Sequence, residues 1–292
     1  MSNLLRKSAA LVATAALAGT MAACGGGDDA GDSKELTIGY INWDEAVAAS
    51  HMWKLVLEEE GYEVNLEELE PGLIFEGMAN GDIDFFLDGW LPTTHASYME
   101  KYGDQLETIG VWYDNASLSV AVPTYVEDVN TLEDLAGNAD LFDGKIIGIE
   151  EGAGLTKATQ EELIPGYGLD GVMNLVTSST PAMLSELDTA IANNEPIVVT
   201  LWHPHWAYAK YDLKDLEDPL GTLGGAEEIT IFARSGFSAD QAEVTAMLEK
   251  FVMTDEQLAS LEDLIFNENS DDHPAGAQAW LDANPDFVDT LK

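Results

Sequence analysis

Cysteine is all but missing from this chain of 292 residues: Cys24 is the only one, so no disulfide can form within it. The fold has to be held by packing alone. Basic residues are nearly as scarce, with 12 Lys and Arg against 54 Asp and Glu and a formal charge of -42. A surface so negative repels phosphate backbones and anionic headgroups, which excludes nucleic acid as a partner. Long apolar runs are lacking as well. Beyond the stretch 9–21, no segment approaches the roughly 20 apolar residues that a membrane span needs. What is present is core material, 46% hydrophobic and 9% aromatic with seven Trp, enough for one or two buried cores and too much for a disordered chain.

Residues 1–23 contain no acid, and Arg6 and Lys7 precede the Ala-rich run 9–21, the pattern of a secretory signal. The run ends Met21-Ala22-Ala23-Cys24, which resembles the lipobox of bacterial lipoproteins, with Met21 standing where Leu is usual. That resemblance implies cleavage after residue 23 and lipidation of Cys24. The Gly, Asp and Ser residues that follow have nothing to pack, so 24–34 is expected to be a flexible tether between the membrane and the folded part.

From Leu36 onward, β-rich runs alternate with helical ones. Strands are predicted at 36–41, 62–66 and 83–87, with helices at 45–60 and 73–79 between them. A second set follows, with strands at 145–149, 174–176 and 197–201 and helices at 155–163 and 181–192. This spacing predicts an α/β fold of mainly parallel strands. The two sets also align as a weak internal repeat. Ile38-Gly39-Tyr40 corresponds to Ile147-Gly148-Ile149, and Trp90-Leu91-Pro92 to Trp202-His203-Pro204. Two similar lobes are the economical reading, joined by extended runs at 118–123 and 228–233 that would form a hinge. Helices predicted at 240–251, 256–266 and 274–283 would pack back on the first lobe.

Trp53, Trp112 and Trp280 are expected in the core, the usual fate of so large an apolar ring. Trp43, Trp90 and Trp202 differ, because each falls at or just past the C-terminal end of a predicted strand, where open α/β sheets bind ligands. Indoles converging on a cleft suit two ligand classes. Sugars stack their apolar faces on rings, which leaves a carbohydrate-binding protein or glycan hydrolase as the alternative reading. Quaternary ammonium ions offer no N–H to bond and are held instead by ring quadrupoles, at about 2 kcal/mol or more per desolvated contact. A zwitterion also needs a site for its carboxylate, and the turn Glu151-Gly152-Ala153-Gly154-Leu155-Thr156 between a strand and a helix offers free N–H groups. His95 could add a donor. The five His residues lack a metal-ligand spacing, and nothing has the form of a nucleophile elbow. The acid excess also suits a saline exterior.

The runs Gly39-Tyr40-Ile41-Asn42-Trp43-Asp44-Glu45, Asp88-Gly89-Trp90-Leu91-Pro92-Thr93-Thr94-His95, Gly148-Ile149-Glu150-Glu151-Gly152-Ala153-Gly154 and Thr200-Leu201-Trp202-His203-Pro204-His205-Trp206 resemble those of the glycine betaine binding proteins of ABC importers. The resemblance covers Leu36 to about Lys292. It implies a two-lobed periplasmic-binding-protein fold of type II, with two crossing hinge strands and the ligand in the interlobe cleft. Lobe 1 would comprise 35–121 plus 229–292, and lobe 2 would comprise 122–228. It also implies a cation cage of Trp43, Trp90 and Trp202 and a ligand carboxylate held by His95 and the amides of Gly154 and Leu155; Ala153, His205 and Trp206 are accessory candidates, Trp206 either as a fourth wall or as packing behind Trp202. The expected protein is a lipid-anchored extracytoplasmic monomer, neither an enzyme nor a metal or cofactor binder, that delivers a betaine to a membrane permease.

Overall fold

The computed structural model describes residues 34–292. The expected signal, Cys24 and the tether up to residue 33 lie outside the described residues. The strands are β1 (Glu35–Tyr40), β2 (Glu63–Glu68), β3 (Phe85–Leu91), β4 (Leu106–Pro123), β5 (Lys145–Ile147), β6 (Asn174–Val176), β7 (Val199–His203), β8 (Leu213–Asp215) and β9 (Glu227–Arg234). They form one mixed sheet in the order β2-β1-β3-β9-β4-β7-β5-β6, with β8 also on β4.

The internal repeat is visible in this order. In the first half β1 lies between β2 and β3 and is parallel to both; in the second, β5 lies between β6 and β7 and is parallel to both. In each half the helix-linked strands therefore open in the middle and step outward to either side, as βαβ units do. The expectation of mainly parallel strands needs correction at the centre of the sheet. There β9 runs antiparallel to β3 and β4, and β4 runs antiparallel to β7 and β8. The chain has to cross from one half to the other and return, and crossing strands meet their neighbours head to tail.

The crossing strand is also much longer than the run 118–123 suggested. At roughly 3.3 Å per residue, the 18 residues of β4 extend about 60 Å. Up to Ala116 it pairs with β9, and from Ser117 it pairs with β7, so one strand belongs to both halves. The return strand β9 begins at Glu227, opposite Ala116, and stays entirely in the first half.

The helix Asp44–Glu59 starts directly after the first strand, with Asp44 and Glu45 in its first turn, where acids complement the helix dipole. Its buried residues reach almost all the way round it, because the sheet covers one side and the helices Asp255–Asp263 and His273–Ala283 cover the other. The region predicted as a helix at 240–251 breaks into Phe237–Asp240 and Ala242–Leu248. Trp53, Trp112 and Trp280 are fully buried here. Trp53 meets Phe251 edge-on at 5.3 Å, Trp112 stacks on the same ring at 5.0 Å, and Trp280 meets Phe287 at 4.9 Å. Among the described residues no helix is long and apolar enough to cross a membrane.

Candidate ligand-binding site

Trp43 caps the N-terminus of the helix Asp44–Glu59, while Trp90 and Trp202 lie near the ends of β3 and β7. In both strands the Trp is followed by a cis X-Pro bond, Leu91-Pro92 and His203-Pro204. The three indoles line one cavity together with Glu45, Thr94, Leu118, Ile149, Ala153, Gly154 and Leu155. About 260 Å³ between these residues is free of atoms, the open mouth included, and its walls are almost wholly apolar. Both halves of the sheet contribute to it, with β4 passing between them at Leu118.

Each ring is fixed by its N–H. Trp43 Nε1 donates to Glu150 Oε2 at 3.1 Å, Trp90 Nε1 to Asp88 Oδ1 at 2.8 Å, and Trp202 Nε1 to Glu45 Oε2 at 2.8 Å. The first and third of these bonds span the cleft: Trp43 and Trp202 are each held by a carboxylate of the opposite half, and Trp90 by one of its own. Glu150 is itself positioned by the N–H and hydroxyl of Thr180. Two further contacts span the same gap, His205 Nε2 at 2.9 Å from Asp44 Oδ2 and the Tyr98 hydroxyl donating to the Gly152 carbonyl at 2.9 Å. The halves are thus drawn together around the cavity.

Gly154 begins the helix Gly154–Ala158, and its N-cap, Ala153, has no side chain to satisfy the exposed amides. The first N–H groups of a helix have no partner within it, so those of Gly154 and Leu155 are donors beside the cavity. Only glycine fits at 154. A Cβ there would stand 2.3 Å from the Thr94 carbonyl oxygen. The facing loop is held in turn by Glu227, whose carboxylate accepts from the Thr93 and Thr94 N–H groups at 2.7 and 2.8 Å and from the Thr94 hydroxyl.

His95 is fully buried but is not one of the residues lining the cavity. It stacks on Trp43 at 5.7 Å with the rings 9° apart, and its Nδ1 accepts the Trp90 N–H at 2.8 Å. Burial pushes its pKa down to about 3. The ring is therefore neutral at ordinary pH, and with Nδ1 accepting, its hydrogen sits on Nε2, which has no protein partner. His205 lies behind Trp202, edge-on at 4.7 Å, with Nδ1 accepting the Ala207 N–H. Trp206 stacks on Phe266 at 6.3 Å outside the cavity. Ala153, the third accessory position, does line it.

Sequence reasoning missed the carboxylates. Asp88 had a signal, since i and i+2 on a strand share a face and Trp90 follows it by two. Glu45 and Glu150 had none, because their partners are 157 and 107 positions away.

Known proteins share this chain's family and fold. Residues 34–283 match the family described as the substrate binding domain of ABC-type glycine betaine transport system. The glycine betaine/carnitine transport binding protein GbuC of Listeria monocytogenes is 40% identical over 143 residues, 49% of this chain and 47% of that protein. The match thus spans about half the length of that relative. The glycine betaine, L-proline transporter binding protein ProX of Borrelia burgdorferi superposes with a TM-score of 0.82 at 32% identity, covering 88% of this chain and 96% of that one. Lactococcal OpuAC, in its closed-liganded conformation with glycine betaine, gives 0.81 at 33% identity, covering 89% and 99%.

Proposed function

Because the chain belongs to the family of substrate binding domains of ABC-type glycine betaine transport systems, we propose that it captures glycine betaine or a related betaine outside the cytoplasm. It then presents the solute to the membrane permease of an ABC importer. The observation that carries this reading is the single apolar cavity on which Trp43, Trp90, Trp202, Gly154 and Leu155 converge from both halves of the sheet.

The mechanism is capture without bond making. The three indole faces enclose the trimethylammonium group, which has no proton to donate and is attracted by the ring quadrupoles. The Gly154 and Leu155 amides hold the carboxylate at the helix start, and the unpartnered Nε2–H of His95 is a further donor close behind Trp43. The lobes hinge where the chain crosses between the halves, at the change of β4 from β9 to β7 between Ala116 and Ser117 and at the start of β9, a few residues before the boundaries expected at 121 and 229. Closing forms the Trp43–Glu150 and Trp202–Glu45 bonds, so ring positions and lobe closure are coupled. Cys24 carries the lipid that tethers the monomer to the membrane. Osmoprotection is the role such uptake serves, and the acid-rich composition fits a saline exterior.

The family match favours this reading over a sugar platform. Titration calorimetry with glycine betaine and with maltose separates the two: betaine binds and maltose does not. Maltose binding without betaine binding would overturn the assignment.

A further inference from the structure

A cage of aromatic faces needs only ring surfaces, yet here every indole N–H ends on a carboxylate, and one of the three carboxylates, Glu45, also lines the cavity. It is the second residue of the helix Asp44–Glu59 and is 1% exposed. Its Oε2 takes the Trp202 N–H, while Oε1 has no hydrogen-bond partner. A buried carboxylate with an unsatisfied oxygen is costly unless a positive charge stands beside it. The protein supplies none. The titratable groups that face Glu45 are Asp44 on its own helix, Asp88 on β3 and Glu262 on the helix Asp255–Asp263. His205 reaches across from the other half, but to Asp44. Among the described residues, no Lys or Arg forms an ion pair with any of these acids.

We propose that Glu45 is the specificity residue of this cage: its carboxyl is protonated in the empty cleft and releases that proton when a quaternary cation enters, leaving a carboxylate that pairs with the cation and still holds Trp202. This rests on the cage reading above. The O–H bond of the acid breaks, its electron pair stays on the carboxylate, and the proton passes to solvent. The ligand takes no part in that exchange, since its quaternary nitrogen carries no proton. Burial pushes the Glu45 pKa up to about 8 and Asp44 adds to the rise, while the backbone and the Trp202 and Trp90 N–H groups oppose it. Asp88 and Glu262 are also raised, chiefly by burial and then by the charge on Glu45. A cation in the cavity supplies the one charge that this cluster lacks. Protons and betaine therefore compete, and a neutral ligand of the same shape gains nothing from Glu45.

The test is calorimetry of glycine betaine binding between pH 6 and pH 9, repeated in two buffers of different ionisation enthalpy, for the native protein, Glu45→Gln and Glu45→Asp. For the native protein, affinity should rise with pH toward a limiting slope of about tenfold per unit below pH 8, with close to one proton released per betaine at the acid end. Glu45→Gln keeps an acceptor for the Trp202 N–H but cannot ionise. It should bind with an affinity independent of pH and weaker than that of the native protein, by a margin that widens as pH rises from 6 to 8, and release no proton. Glu45→Asp, which keeps an ionisable carboxyl, should retain the slope and shows that loss of linkage in Glu45→Gln is not loss of fold. A native protein that binds betaine equally at all pH values without proton release would overturn the proposal and leave the cage standing, as would a Glu45→Gln variant that keeps the slope. No betaine binding at any pH would overturn the cage reading and this proposal with it.

Discussion

At the scale of the residue, the seven Trp of one chain divide by what surrounds them. Trp280 meets Phe287 edge-on and donates to the Ser260 hydroxyl at 2.8 Å, so its surroundings are wholly the protein's own. Trp90 and Trp202 line a cavity. Truncating Trp90 or Trp202 to Ala is expected to weaken betaine binding by at least about 30-fold, the equivalent of one desolvated cation contact of about 2 kcal/mol. Trp280→Ala should instead cost about 3–5 kcal/mol of stability and leave the Kd of the folded protein within a few-fold. Calorimetry and urea unfolding on the three variants measure both quantities, and equal losses of binding would remove the distinction. His95 offers a second check: its imidazole should stay neutral from pH 8 down to pH 5, as read from its NMR signals, because its pKa is depressed to about 3. The Trp positions were legible because strand ends can be read from sequence. Of their acid partners only Asp88, two positions before Trp90 on one strand, left a signal; Glu45 and Glu150 left none, since 54 acids look alike until the fold selects among them.

At the scale of the element, the repeat told most. The order strand, helix, strand, helix, strand appears twice in the sequence, and the structure lays both copies out with the first strand in the middle. What periodicity could not reveal was β4. Its apolar tail at 118–123 reads as a strand, but its first residues alternate between half-buried and exposed and gain their pairing only from β9, more than a hundred positions away in the chain. The helix start at Gly154 has a consequence that can be measured. A methyl group at 154 would collide with the Thr94 carbonyl, and that carbonyl is held in place through Glu227. Gly154→Ala should therefore prevent the helix start from seating against the 93–94 loop and weaken betaine binding by roughly tenfold or more, equivalent to 1.4 kcal/mol. Gly168→Ala, at a left-handed glycine with open space around it, should leave the Kd unchanged while costing some stability. Matching Kd values for the two variants would refute the close-approach argument.

At the scale of the whole molecule, charge is the dominant fact. An ordinary carboxyl group, with a pKa of about 4, is fully ionised above pH 6, so its charge no longer changes with pH there. Buried Glu45, Asp88 and Glu262 depart from that. Their folded-state pKa values are raised, so the folded chain holds protons that the unfolded chain has lost. The share of Glu45 in that stability is complete below about pH 4.5 and is lost as pH rises toward its folded value of about 8, at up to about 1.4 kcal/mol per pH unit. Urea midpoints of the ligand-free protein should fall between pH 6 and pH 8, and Glu45→Gln should flatten that fall. With a net charge of -42, the same midpoints should rise between low and molar salt as self-repulsion is screened. Midpoints indifferent to salt would contradict the link between composition and a saline exterior.

The central claim is that this cleft recognises a permanent positive charge and not merely a trimethyl shape. Its most direct test is to titrate the protein in saline buffer at pH 8 with glycine betaine and with 3,3-dimethylbutanoate, which replaces the charged nitrogen by carbon and keeps both the methyl groups and the carboxylate. The cage account predicts that betaine binds at least about 30-fold more tightly, since the carbon analogue loses about 2 kcal/mol or more of attraction to the indole faces. Equal affinities would contradict it and reduce the three Trp residues to an apolar pocket.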